Sequence, residues 1–166
     1  GESMSDELMV RIGTPDDIHA MMDLAMMACE ENGFVNPDKT KLLGELWQAL
    51  NLSYGMVGIV GKKGEQIEGA ILLRIGPMWY SHDMVLEEKA IFIHPEHRKH
   101  RDGRARKLVE FAKKSADELG IPLLIGVLSN ERTEGKIKLY ERQLGKQSGA
   151  FFLYNGRASD SAVTEH

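Results

Sequence analysis

Ala90-Ile91-Phe92-Ile93-His94-Pro95-Glu96-His97-Arg98-Lys99-His100-Arg101-Asp102-Gly103-Arg104-Ala105-Arg106-Lys107-Leu108 decides the fold. An apolar run stops at Pro95, a basic loop follows, and Gly103-Arg104-Ala105 opens an amphipathic segment whose first core residue is Leu108. Strand, loop and helix in that order leave the first N–H groups of a helix without partners, and the helix dipole there favours an anion. Small residues at 103 and 105 would let a phosphate approach the backbone. Arg98, Lys99, Arg101, Arg104 and Arg106 supply cations nearby. Charge pattern alone leaves two other readings open, a solvated basic face and a nucleic-acid patch.

Working outward, residues 104–119 carry Leu108, Phe111, Ala112, Ser115, Ala116 and Leu119 at helical spacing, and Gly120 and Pro122 are stop signals. Residues 123–128 (Leu-Leu-Ile-Gly-Val-Leu) predict a buried strand flanked by helices. Ser129-Asn130 should cap a last helix ending near Leu144-Gly145, and residues 151–154 should form a final short strand. Upstream, residues 84–93 close a meander whose earlier strands are 54–60 and 67–75, joined through a turn at 61–64.

Residues 9–12 suit a first strand. Thr14-Pro15-Asp16-Asp17 reads as a helix start, and Ile18, Met21, Met22, Ala25, Met26 and Cys29 continue it to Asn32-Gly33. A second helix is expected over 38–50, with Leu42, Leu43, Leu46, Trp47 and Leu50 on one face. The order β-α-α-β-β-β-α-β-α-β predicts an α/β fold: a mixed, mostly antiparallel central sheet flanked by helices on both faces.

A chain of 166 residues with 42% apolar and 28% charged residues suits one globular domain, here taken as 1–166. Residues 1–6 are expected to be a tag remnant and flexible N-terminus, and 158–166 a frayed tail. No apolar stretch approaches the ~18 residues of a membrane span. The single cysteine, Cys29, excludes an internal disulfide and suits a cytoplasmic protein. A net charge of −4 argues against nucleic acid and favours cationic partners.

Gly103-Arg104-Ala105-x-x-Leu108 resembles the Arg/Gln-x-x-Gly-x-Gly/Ala motif, with its following Leu, of the GNAT N-acetyltransferase superfamily. His100 falls on the Arg/Gln position, within a loop that reads as lengthened. Leu139-Tyr140-Glu141-Arg142-Gln143-Leu144-Gly145 is similar to the Leu-Tyr-x-x-x-Gly ending of that family's last helix. The resemblance implies the acyl-CoA N-acyltransferase fold, acetyl-CoA as cosubstrate, and direct acetyl transfer to a primary amine within a ternary complex. It implies cofactor contacts at Ile91, Phe92 and Ile93, through their backbone, and at Arg98, Lys99, His100, Arg101, Asp102, Gly103, Arg104 and Ala105. It makes Tyr140 the acid that protonates the thiolate. It also points to Glu87, ahead of Glu88 or a bound water, as the base.

The acceptor, a small-molecule or peptide amine, is not readable, and a homodimer is left open. The alternative on the same fold is a catalytically silent acyl-CoA-binding sensor or interaction module. Metal is not expected: His94, His97 and His100 recur every three residues, but among cations that oppose a metal. Cys29 reads as a small buried hydrophobe, and the methionines around it as core or as an adaptable wall for the acceptor.

Overall fold

In the computed structural model, which describes residues 9–98, 103–128 and 133–156, five strands lie side by side in chain order. β1 (Val10–Ile12), β2 (Gly55–Val60), β3 (Gly69–Pro77) and β4 (Met84–Ile93) pair antiparallel, and β5 (Leu123–Leu124) joins β4 in parallel. Helices α1 (Ile18–Asn32) and α2 (Lys39–Leu50) pack on one face of the sheet. Helix α3 (Arg104–Leu119) packs on the other, and α4 (Thr133–Leu144) leans on α3. This is the mixed, helix-flanked sheet that the sequence predicts.

Both faces are covered, so β3 is apolar on both sides. Ala70 and Leu72 meet α1 and α2, whereas Ile71 and Leu73 meet α3. Helix α3 sits close because β2 carries no side chain at Gly58. A Cβ there would lie 2.6 and 2.7 Å from two atoms of the Phe111 ring. Gly58→Ala should therefore force the ring aside and cost about 1–3 kcal/mol, the usual penalty of overpacking. Urea unfolding of that variant checks it through a lowered midpoint at unchanged slope.

The start of α1 is tied to β1. Thr14 precedes a 3-10 turn (Pro15–Asp17) whose Asp17 accepts from the Thr14 N–H at 2.8 Å and from both Arg11 terminal nitrogens at 2.9 Å. Those Arg11 bonds hold the Asp17 carboxyl below its ordinary pKa. Gly33 ends α1 at φ +62°, the left-handed cap expected of it.

Several sequence expectations are corrected. The buried stripe of α2 is Leu46, Ala49 and Leu50, while Leu43 and Trp47 stand in solvent. Leu119, on the expected core face of α3, is also exposed. Only Leu123 and Leu124 of the expected strand 123–128 join the ladder, and Leu124 and Leu128 are exposed. Residues 151–154 form no strand; Phe152 is 95% exposed. A strand needs an edge to pair with, and β5 offers only two residues. The expected cap at Ser129-Asn130 and the two termini, 1–6 and 158–166, lie outside the described residues.

Candidate active site

Strand β4 changes direction at one residue. Leu73 pairs with Glu88 and Leu72 with Ala90, so Lys89 is an extra residue without a partner on β3, a β-bulge. The parallel pairing to β5 stops just before it, at Glu87 and Leu124. Past that point β4 faces no strand on its outer side among the described residues. The His94 N–H bonds the Glu68 carbonyl across β3 at 2.8 Å. By strand alternation, the N–H and C=O groups of Ile91 and Ile93 therefore turn to the open side, and those of Phe92 into the ladder. The Ile93 carbonyl indeed accepts from Arg98 Nε there, at 2.9 Å. The backbone donors expected of 91–93 thus narrow to Ile91 and Ile93.

A cavity of about 230 Å³ occupies the opening, bounded by Ile91, Ile93, Ala105, Lys136, Leu139 and Tyr140 among others. It leads to the start of α3, where Gly103 caps the helix at φ +88°. Only glycine adopts that angle without strain, and a Cβ would also meet the Arg106 side chain at 3.1 Å. A second cavity, of about 500 Å³, lies on the opposite face of β4 against α1 and α2. Phe92 borders both cavities.

Tyr140 is buried, and burial, followed by the charge of Glu88, pushes its phenol above the ordinary value. Glu88 is half-buried and accepts the Gly126 N–H at 3.3 Å. Its pKa rises to about 7, chiefly through burial, with the neighbouring Glu87 charge adding to the rise and Gly126 opposing it. Where β4 and β5 part, the Glu88 charge reaches the Tyr140 phenol. Glu87 takes the other face: it is paired to Lys89 at 3.1 Å, opposite Arg74 on β3, and 44% exposed. Glu88, the second choice from sequence, is the one beside Tyr140, because its spacing from Leu86 turns it to the α3 side before the bulge intervenes.

Of the expected cations, the three that are described, Arg98, Arg104 and Arg106, are engaged within the protein. Arg98 is no exposed point charge: it grips Glu31 of α1 at 2.6 and 3.1 Å and lies 4.8 Å over the Phe92 ring. Arg104 is pinned to Glu68 at 2.6 and 2.9 Å, and Arg106 pairs with Glu110 one turn on. Lys99, His100, Arg101 and Asp102 lie outside the described residues. Lys136, Glu31 and Glu68 were missed by sequence reading, and no local pattern marks them. Helix α4, which carries Tyr140, is fastened to α3 by Lys113 on the Gln143 carbonyl and by the Gln143 amide on the Arg106 carbonyl. Among the described residues no group of His, Cys, Asp or Glu is arranged to hold a metal ion.

This architecture is shared with several solved structures. The ribosomal-protein-alanine N-acetyltransferase from Brucella melitensis biovar Abortus 2308 superposes with a TM-score of 0.64 at 16% identity, over 89% of this chain and 98% of that one. AAC(6')-Iy, in complex with the bisubstrate analogue CoA-S-monomethyl-acetylneamine, gives 0.67 at 16% identity, over 92% and 100%. The chain has the GNAT N-acyltransferase fold. A further GNAT-fold match is an aminoglycoside acetyltransferase from an uncultured soil metagenomic sample in complex with sisomicin, at 0.64 and 15% identity, over 92% and 98%. No family model and no curated protein sequence matches the chain. Among the described residues, no helix of this GNAT fold is long and apolar enough to cross a membrane.

Proposed function

We propose that this protein is an acetyl-CoA-dependent N-acetyltransferase that passes the acetyl group directly to a primary amine. The observation that carries the proposal is the opening where β4 and β5 part: a cavity bordered by Ile91, Ile93 and Tyr140 leads to the Gly103 helix start, and Phe92 separates it from a second cavity on the other face that has room for an acceptor. The N–H groups at the start of α3 suit a pyrophosphate, Gly103 and Ala105 leave it room, and Ile91 and Ile93 offer backbone groups to the pantetheine arm and the thioester oxygen. Arg98, Arg104 and Arg106 are already paired within the protein, so in this reading the helix-start N–H groups carry phosphate contact that those three side chains do not.

Two proton movements are needed. Glu88, with its pKa at about 7, takes the proton that the attacking amine must lose. Tyr140 holds its proton at rest and donates it to the departing sulfur. The two steps are linked through charge. Ionised Glu88 raises the Tyr140 pKa, so neutralising Glu88 makes Tyr140 more acidic just when the thiolate forms.

The test is direct. Millimolar CoA should raise the melting temperature, since a ligand at 100 times its Kd adds about 2.7 kcal/mol. Thiol should then be released from acetyl-CoA only when a suitable amine is present. Absence of any thermal shift removes the cosubstrate from the reading.

A further inference from the structure

A wall stands between the two cavities. Among the described residues, Phe92 alone lines both. Arg98 lies 4.8 Å over the Phe92 ring. Its guanidinium is held in turn by the Glu31 carboxylate at 2.6 and 3.1 Å and by the Ile93 carbonyl at 2.9 Å. Phe92, Arg98 and Glu31 thus form a stack from β4 to the last turn of α1. Helix α1 divides at the same place: Glu31 lines the smaller cavity, and Cys29 and Asn32 line the larger. Behind the ring the larger cavity is apolar, and Met21, Leu24, Leu46, Ala49 and Ala70 in it are each at most 5% exposed. At about 500 Å³ it has room for an alkyl chain.

We propose that Phe92, braced by Arg98 and Glu31, sets the length of acyl group that the protein accepts: acetyl fits, and a longer alkyl chain meets the ring. The proposal rests on the acetyl-transfer reading and specifies its donor. A thioester held on the backbone groups of Ile91 or Ile93 lies beside Phe92, and a chain lengthened from it toward the larger cavity runs into the ring. The ring cannot swing aside without giving up the guanidinium above it, and that guanidinium is fixed by a bidentate, half-buried ion pair. An acceptor amine needs no passage through the wall. Ala90 lines the larger cavity and Ile91 the smaller, so the two linings adjoin along β4 just before the ring. Arg98, expected from sequence at the phosphates, is in this reading the brace of a specificity wall.

The experiment needs no acceptor. Calorimetry compares the Kd values of CoA, acetyl-CoA, butyryl-CoA and hexanoyl-CoA for the parent and for variants of the wall. The parent should bind hexanoyl-CoA about tenfold or more weakly than acetyl-CoA, the scale of forcing extra methylenes against packed side chains. Phe92→Ala should lower that ratio by about tenfold or more, to one or below, since each methylene taken into apolar space is worth about fourfold. Glu31→Gln, which loosens the brace and leaves the ring in place, should lower it by about threefold, and it carries the reading if the alanine variant does not fold. Because the ratio is taken within one variant, any change in phosphate contact cancels. Gly58→Ala, which disturbs the packing of α3 instead, should leave the ratio as in the parent. A parent that binds hexanoyl-CoA within about threefold of acetyl-CoA, or wall variants that keep the parent's ratio, overturn the wall alone. CoA failing to bind the parent overturns the acetyl-transfer reading instead.

Discussion

Tyr140→Phe should lower kcat by about 10²–10⁴-fold on an acceptor that supports turnover, while the Kd for acetyl-CoA stays within a factor of two or so. The ring is buried and borders the cavity beside β4, and phenylalanine keeps it. What disappears is a hydroxyl that burial and the Glu88 charge hold in its protonated form through neutral pH. The melting temperature should move by no more than about 4 °C, the shift equivalent to ~1 kcal/mol in a domain of this size. Stopped-flow thiol release, which isolates the chemical step, makes the measurement. A kcat within threefold of the parent would reduce Tyr140 to packing.

Glu88→Gln should have an effect of similar size, whereas Glu87→Gln should leave kcat within about threefold, because Glu87 points to the opposite face and pairs with Lys89. In the parent, kcat/KM should rise with pH through about 7 as Glu88 ionises, and that limb should be missing from the Gln variant. Stability moves the opposite way. Because folding raises the Glu88 pKa above its unfolded value of 4.5, its favourable contribution is complete below pH 4.5 and is lost as pH rises through about 7. Glutamine imitates the protonated carboxyl, so the variant should gain in melting temperature relative to the parent as pH increases across that interval. A rate limb that survives in Glu88→Gln and vanishes in Glu87→Gln would return the base to Glu87.

Local chemistry was enough for the elements. The Gly103 helix start, the apolar period of 104–119, the Gly33 and Gly120 stops and the meander through 84–93 are short-range signals, each carried by a few adjacent residues. They predicted a helix-flanked, mostly antiparallel sheet, and the structure has one. Tyr140 was legible only through its motif.

Long-range placement decided the rest. A single extra residue at Lys89 separates Glu88 from the count that favoured Glu87, and no pattern along β4 announces a bulge whose cause is the register against β3. Arg98 and Arg104 read as free charges until Glu31, 67 residues from Arg98, and Glu68, 36 residues from Arg104, came to meet them. Residues 151–154 are a short apolar run, yet an apolar tetrapeptide becomes a strand only beside an edge, and β5 is too short to provide it. Periodicity follows from each residue's own backbone and neighbours, so the sequence by itself determined the helices and the antiparallel meander, though not the strands expected after α3. Which carboxylate meets Tyr140, which arginines remain available and where the sheet opens depend on contacts across the fold, and those only the tertiary structure decided.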